Sequence, residues 1–191
     1  CSMRRIATAT AALALSLAGV TGIALSLGAS APVPETTAVA ADAFEIDFAH
    51  STLNYKLRHF GVSNFYGRVN APKGEFLFDR ADLGSSFVKV TAEVKNMDAG
   101  NDGRDRFLMS PDFFNAREYP EMSFVSSQVE QSGDGFRATG TFTMHGVSQE
   151  ITVDISEYTE LQTTKFGYRA GFECVFTVKR SDYGMNLFVE E

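Results

Sequence analysis

The stretch Phe136-Arg137-Ala138-Thr139-Gly140-Thr141-Phe142-Thr143-Met144 decides the fold. Phe136, Ala138, Gly140, Phe142 and Met144 alternate with Arg137, Thr139, Thr141 and Thr143, so one side is apolar and the other polar. A period of two belongs to an extended strand, whose successive side chains point to opposite faces. The same alternation recurs at Leu53, Tyr55 and Leu57; at Val88, Val90, Ala92 and Val94; at Ile151, Val153 and Ile155; and from Tyr168 through Ala170, Phe172, Cys174 and Phe176 to Val178. Turn chemistry separates these runs, as in Ala81-Asp82-Leu83-Gly84, Ser132-Gly133-Asp134-Gly135 and His145-Gly146. The expectation is an all-β, antiparallel domain of about eight strands. A closed up-and-down barrel would remove exposed edges and enclose a ligand-sized space, whereas a sandwich would fill its interior; alternation alone is compatible with both.

Composition bounds the function. The chain of 191 residues carries a formal charge of -7 and no basic run, so nucleic acid and anionic membrane surfaces are poor electrostatic partners. Its rings are 17 Phe and 6 Tyr with no Trp, a bias toward wholly apolar aromatics that can line a greasy cavity or fill a core. Residues 1–42 read as a signal peptide and short linker, and 43–191 as one barrel domain. Met3-Arg4-Arg5 is a basic start, Ile6 to Leu27 an apolar stretch, and Ala38-Val39-Ala40 the favoured cleavage signal over Ala29-Ser30-Ala31, which Pro32 follows. Export to the periplasm or beyond is expected, with no stable membrane insertion after cleavage; a retained anchor is the alternative. Cys1 and Ser2 precede the expected initiator Met3, so an overextended start or a fragment is the reading there. Cys174 is then the only cysteine of the mature domain, which excludes an intrachain disulfide, and its alternation with Phe172 and Phe176 suggests a small buried apolar residue.

The segment from Met97 to Pro120 breaks the alternation and is too long for a hairpin loop. Ser110-Pro111 suggests an N-cap and first helical position, with Asp112 suited to the helix dipole. Phe107, Leu108, Met109, Phe113 and Phe114 give this helical insertion a greasy side. It packs on the outer wall of the barrel or forms a lid at its mouth.

Catalytic and metal patterns are weak. His50, His59 and His145 form no close ligand pair, and no metal site is expected. No Gly-x-Ser-x-Gly elbow, phosphate loop or dinucleotide fingerprint is present, and a calcium loop starting at Asp98 would need Glu where Met109 stands. His145, at a hairpin corner, is expected to bond backbone. His59 ends the Leu53, Tyr55, Leu57 face that should point inward, where it would meet a ligand head group. Arg104-Asp105 and Arg180-Asp182 set mixed charges beside aromatic residues, suited to orienting a phosphate, carbonyl or amide, or to pinning loops by salt bridges.

Four signatures combine these residues: His50-Ser51 with His59-Phe60-Gly61-Val62-Ser63; Arg104-Asp105 with Asp112-Phe113-Phe114; His145-Gly146-Val147-Ser148; and Arg180-Ser181-Asp182-Tyr183-Gly184-Met185. Together they resemble the YceI-like family of secreted polyisoprenoid-binding proteins with a lipocalin-like barrel, over Phe44 to Met185. The resemblance implies a non-enzymatic binder or carrier of a long isoprenoid, quinone-like molecule or fatty amide, with that lipid as ligand and no cofactor. Expected lining residues are Tyr55, Leu57, Phe65, Leu108, Phe114, Phe124, Phe142, Phe172 and Phe176, and expected head-group residues are His59, Arg104 and Arg180. One departure is Phe107, where the family commonly has His before Leu, which puts the head-group preference in question. Such chains normally continue past the last signature into one more strand, so a missing final strand and an open seam are expected here. Two other classes remain: a barrel enzyme using His59 or His145 as acid-base, and a stress-response structural or interaction module with a solid core. A homodimer is possible on either reading.

Overall fold

The computed structural model describes residues 43–163, 165 and 167–189. The expected leader and linker, residues 1–42, lie outside the described residues. Ten strands and one α-helix follow in the order β1 (Phe44–Glu45), β2 (Thr52–His59), β3 (Ser63–Asn70), β4 (Lys73–Leu77), β5 (Phe87–Glu93), β6 (Met97–Asp98), α1 (Asp102–Met109), β7 (Glu121–Ser132), β8 (Gly135–Met144), β9 (Val147–Thr163) and β10 (Gly167–Val175). A 3-10 turn at Arg180–Tyr183 comes after them. Every strand pair is antiparallel. One sheet runs β1-β4-β5-β7-β8-β9-β10 and the other β2-β3-β6, and together they make a nearly closed barrel. In these two sheets β2 pairs only with β3, and β10 only with β9.

The strand that decides the fold behaves as its alternation requires. Phe136, Ala138, Phe142 and Met144 are buried on β8, joined by Val153 and Ile155 of β9 and by Val88 and Ala92 of β5. Each large apolar side chain withdrawn from water in this way contributes about 1.5–3 kcal/mol. The outward Thr and Arg residues pair across strands instead: Thr139 with Thr152 at 3.1 Å, Thr143 with Ser148 at 2.8 Å, and Arg137 with Asp154 at 2.8 Å. His145-Gly146 closes β8 onto β9 as a two-residue turn with both φ positive, 52° and 73°, the conformation whose twist matches a hairpin.

Two bulges shift the phase. In β7 the register slips between Ser126 and Gln128, so the inward series Met122, Phe124 continues at Val129. In β9 the slip lies between Ser156 and Thr159, with Glu157 at φ 52°. An extra residue reverses which side chains face in, and here it turns Tyr158 toward Phe78 and Phe136.

The helix differs from its sequence expectation. Ser110-Pro111 ends α1 and does not begin it: Ser110 has ψ 164° and its N–H returns to the Phe107 carbonyl at 3.1 Å. Proline disfavours helical geometry in the residue before it, which makes the dipeptide a stop signal here. The N-cap is Asn101, whose side chain accepts from the Arg104 N–H at 3.1 Å, with Asp102 and Asp105 in the first turn. Cys174 also departs from expectation. It is exposed, because it lies on β10 where that strand pairs on one side only, although desolvation still raises its thiol pKa.

Candidate functional site

The inner face is built mostly from rings. Phe44 of β1 stacks on Phe76 of β4 at 5.3 Å, and Phe172 of β10 meets Phe76 edge-on at 4.9 Å and Phe78 at 5.4 Å. Phe78 stacks on Phe136 at 4.9 Å, and Tyr158 presents its edge to both. Phe142 forms a second group with Phe176 at 5.4 Å and Tyr183 at 5.6 Å. A shallow depression of about 370 Å³ beside the β7–β8 turn is floored by Phe136 and Tyr158 and rimmed by Asp134, Asp154 and Glu157.

Burial is uneven around this interior. Phe76, Phe78, Phe124, Phe136 and Phe142 are buried, whereas Leu53, Tyr55, Phe65, Phe114, Phe172 and Val178 pack against the core yet are only partly covered. Leu57 and Phe176 are more open still, at 36% and 38% exposure. Apolar surface therefore continues from the sealed β4–β9 wall onto β2, β3 and β10, where protein does not fully cover it.

The expected lining residues thus divide. Leu108, Phe124 and Phe142 are sealed in the core; Tyr55, Phe65, Phe114 and Phe172 sit at the partly covered boundary; Leu57 and Phe176 lie at its open edge. All three expected head-group residues meet aromatic rings, and the two arginines also bond backbone. The Arg104 guanidinium lies over the Phe65 ring at 4.5 Å and donates to the Ala99 carbonyl at 2.9 Å. Arg180 covers Phe113 at 4.9 Å and donates to the carbonyls of Leu187 at 2.9 Å and Phe188 at 3.3 Å. His59 is exposed at the end of β2, edge-on to Phe60 at 4.3 Å, and not on an enclosed face. His145 Nδ1 donates to the Tyr183 carbonyl at 3.0 Å and the ring packs on Tyr119 at 4.7 Å, which ties the 3-10 turn to the β8–β9 corner.

Tyr55 and Tyr183 were not expected to stand out as polar groups. Both phenol oxygens are buried without a hydrogen-bond partner. A buried hydroxyl left unpaired costs about 1–3 kcal/mol, so each is a ready donor or acceptor for a bound polar group. Tyr55 lies directly across from Gly67, and a Cβ on Gly67 would come within 2.3 Å of the Tyr55 Cζ; only glycine lets the ring lie flat over β3. Burial raises the Tyr55 pKa, with Asp105 adding to the shift and Arg104 opposing it, so the phenol stays protonated. Desolvation likewise raises Tyr183. The alternation of Phe76 with Phe78 was a visible signal for the ring group, while Tyr158 was hidden by the β9 bulge. Among the described residues no three His, Cys, Asp or Glu side chains converge on a metal-sized site, and no helix is long and apolar enough to cross a membrane.

Known proteins resemble this chain in sequence and fold. A UPF0312 protein of Pseudomonas aeruginosa is 36% identical over 166 residues, covering 86% of each chain. The crystal structure of a Campylobacter jejuni YCEI protein superposes with a TM-score of 0.60 at 28% identity, covering 77% of this chain and 86% of that one. Burkholderia cenocepacia BcnA shares the fold, with a TM-score of 0.59 at 24% identity over 69% of this chain and 79% of its own. The YceI-like domain profile matches residues 44–190, every strand described above, and the chain belongs to the YceI-like family.

Proposed function

We propose that this barrel binds a long isoprenoid-like lipid, or a similar quinone or fatty amide, and carries it without chemical turnover. The observation that carries the reading is the apolar inner surface of β2, β3 and β10, continuous with the ring-lined core and only partly covered by protein. Burying roughly 400 Å² of such a ligand at ~25 cal/mol/Å² yields about 10 kcal/mol before association costs. Affinity in the micromolar range follows without any special chemistry. Tyr55, with Arg104 above the neighbouring Phe65, and Tyr183 supply polar contacts that would orient a head group.

Residues 1–42 carry the export features described above, so the carrier works in the periplasm or outside the cell and meets lipid at a membrane surface. The test is organic extraction of the purified protein followed by mass spectrometry. Co-purified polyprenyl or quinone-like lipid supports the reading. A lipid-free extract, together with no uptake of added polyprenol, contradicts it.

A further inference from the structure

We infer that the tip of the β2–β3 hairpin is a docking element for an anionic lipid bilayer. Phe60 and Val62, at its turn, are 75% and 79% exposed, and Tyr66 is 65% exposed just behind them. Single exposed apolar residues are ordinary, but a phenylalanine and a valine at the very end of a ribbon are what an interface with lipid requires. Only Arg68 and Val69 of β3 pair with β6; from Ser63 to Gly67 the strand has β2 as its sole sheet partner, so this end of the hairpin stands as a two-stranded ribbon.

The turn itself favours other residues. Phe60 has φ 49° and Gly61 φ 67°, and the Val62 N–H bonds the His59 carbonyl at 3.1 Å. Asn or Gly suits the first of these positions, whereas a bulky ring there is strained. The position holds Phe60 out at the tip.

Charge selects the partner. No Asp or Glu occurs between Asp47 and Glu75, while Lys56, Arg58, Arg68 and Lys73 do, in a chain whose net charge is -7. Arg68 is paired with Asp98 and Lys73 with Glu93. Lys56 has no carboxylate partner among the described residues, and Arg58 donates only to neutral acceptors, the Gly61 carbonyl and Asn64 Oδ1. Net acidity therefore argues against docking by most of the surface but not by this tip, where Arg58 and Lys56, neither paired with a carboxylate among the described residues, lie two and four residues before Phe60. Lipid head groups would meet Lys56 and Arg58 as Phe60 and Val62 enter the acyl boundary. On the same hairpin Leu57 faces Phe65 and Leu53 faces Val69, an apolar track from the open end to the core. Docking rests on the lipid-binding reading for its purpose, and the track gives the extracted lipid a way in.

Co-sedimentation with phosphatidylcholine vesicles, with and without phosphatidylglycerol, tests this on the whole chain. Wild type should pellet with phosphatidylglycerol vesicles at low salt. Phe60→Asp/Val62→Asp should weaken partitioning by roughly tenfold or more, and Lys56→Gln by about fivefold on anionic vesicles only. The thermal midpoint should not fall, since all three side chains are exposed and Asp relieves the strained φ at position 60. Wild type remaining in the supernatant, or the double variant pelleting equally, overturns the proposal. So does a dimer that Phe60→Asp/Val62→Asp disperses in the absence of vesicle binding, which would assign the tip to a second copy. Titration with a short soluble prenol in vesicle-free buffer separates the two readings. Intact prenol binding in the double variant leaves the carrier standing whatever the vesicles show, and vesicle binding without prenol binding leaves the docking tip without the carrier.

Discussion

Replacing Phe136 and Phe172 by alanine separates the sealed wall of the barrel from the surface assigned to lipid. Phe136 is 0% exposed, stacked on Phe78 at 4.9 Å, met edge-on by Tyr158 at 5.3 Å and covered by the Arg80 guanidinium at 4.8 Å. Phe136→Ala removes the transfer energy of the ring and leaves a cavity, together about 3–5 kcal/mol. For a domain of this size each kcal/mol moves the midpoint by roughly 2–4 °C, so a fall of about 10 °C is expected by differential scanning fluorimetry. Phe172 touches Phe76 and Phe78 by its edge but is only partly covered, and Phe172→Ala should cost about half as much. Its larger effect should appear in binding, as roughly tenfold weaker affinity for a polyprenol, equivalent to about 1.4 kcal/mol. A midpoint within about 2 °C of wild type for Phe136→Ala would refute the packed inner wall. Equal destabilisation by both variants, with unchanged prenol affinity in Phe172→Ala, would make Phe172 an ordinary core ring.

Other expectations follow from single contacts. Gly67→Ala should displace the Tyr55 ring and cost about 1–3 kcal/mol, seen as a lower midpoint with a changed near-ultraviolet tyrosine signal. Asn101→Ala removes the cap on the Arg104 N–H and should cost about 1 kcal/mol in chemical unfolding. Hydrogen bonds from Lys95 and then Lys73 hold the Glu93 carboxyl down at about 2, so their stabilisation is present above its ordinary value of 4.5 and is lost as pH falls through about 2. The stability gap between wild type and Glu93→Gln should accordingly close over that window in acid unfolding, and a gap independent of pH would exclude the pairing. Phe114, partly covered and beside Phe113 at 5.5 Å, should on truncation to alanine speed lipid release in stopped flow while moving the midpoint little.

Much of the fold was legible because a sheet with one buried face writes itself as alternation. Phe136 to Met144 was read correctly down to which side is buried. The losses came where backbone departs from a plain ladder. Bulges in β7 and β9 reverse the phase without a sequence mark, so Tyr158 turns inward unannounced. Ser110-Pro111 carries start and stop signals at once, and the competition was settled by Asn101, which caps the helix nine residues before Ser110. The site was legible by kind more than by position. Apolar rings were expected to line the interior, yet which are sealed and which stay partly open depends on pairing partners that lie far apart in the chain. His59 continues an inward-facing series to a point where the hairpin has no neighbour to enclose it, so the series ends in solvent.

Affinity across a prenyl chain-length series, titrated against purified protein, tests the carrier most directly. Each added unit brings five carbons, an upper limit near ~4 kcal/mol at about 0.8 kcal/mol per buried CH₂ before ordering costs. Affinity should climb steeply with length and level off once the apolar surface of β2, β3 and β10 is covered, and Tyr55→Phe should weaken every length by a similar modest factor. Affinity independent of chain length would contradict capture by an apolar interior.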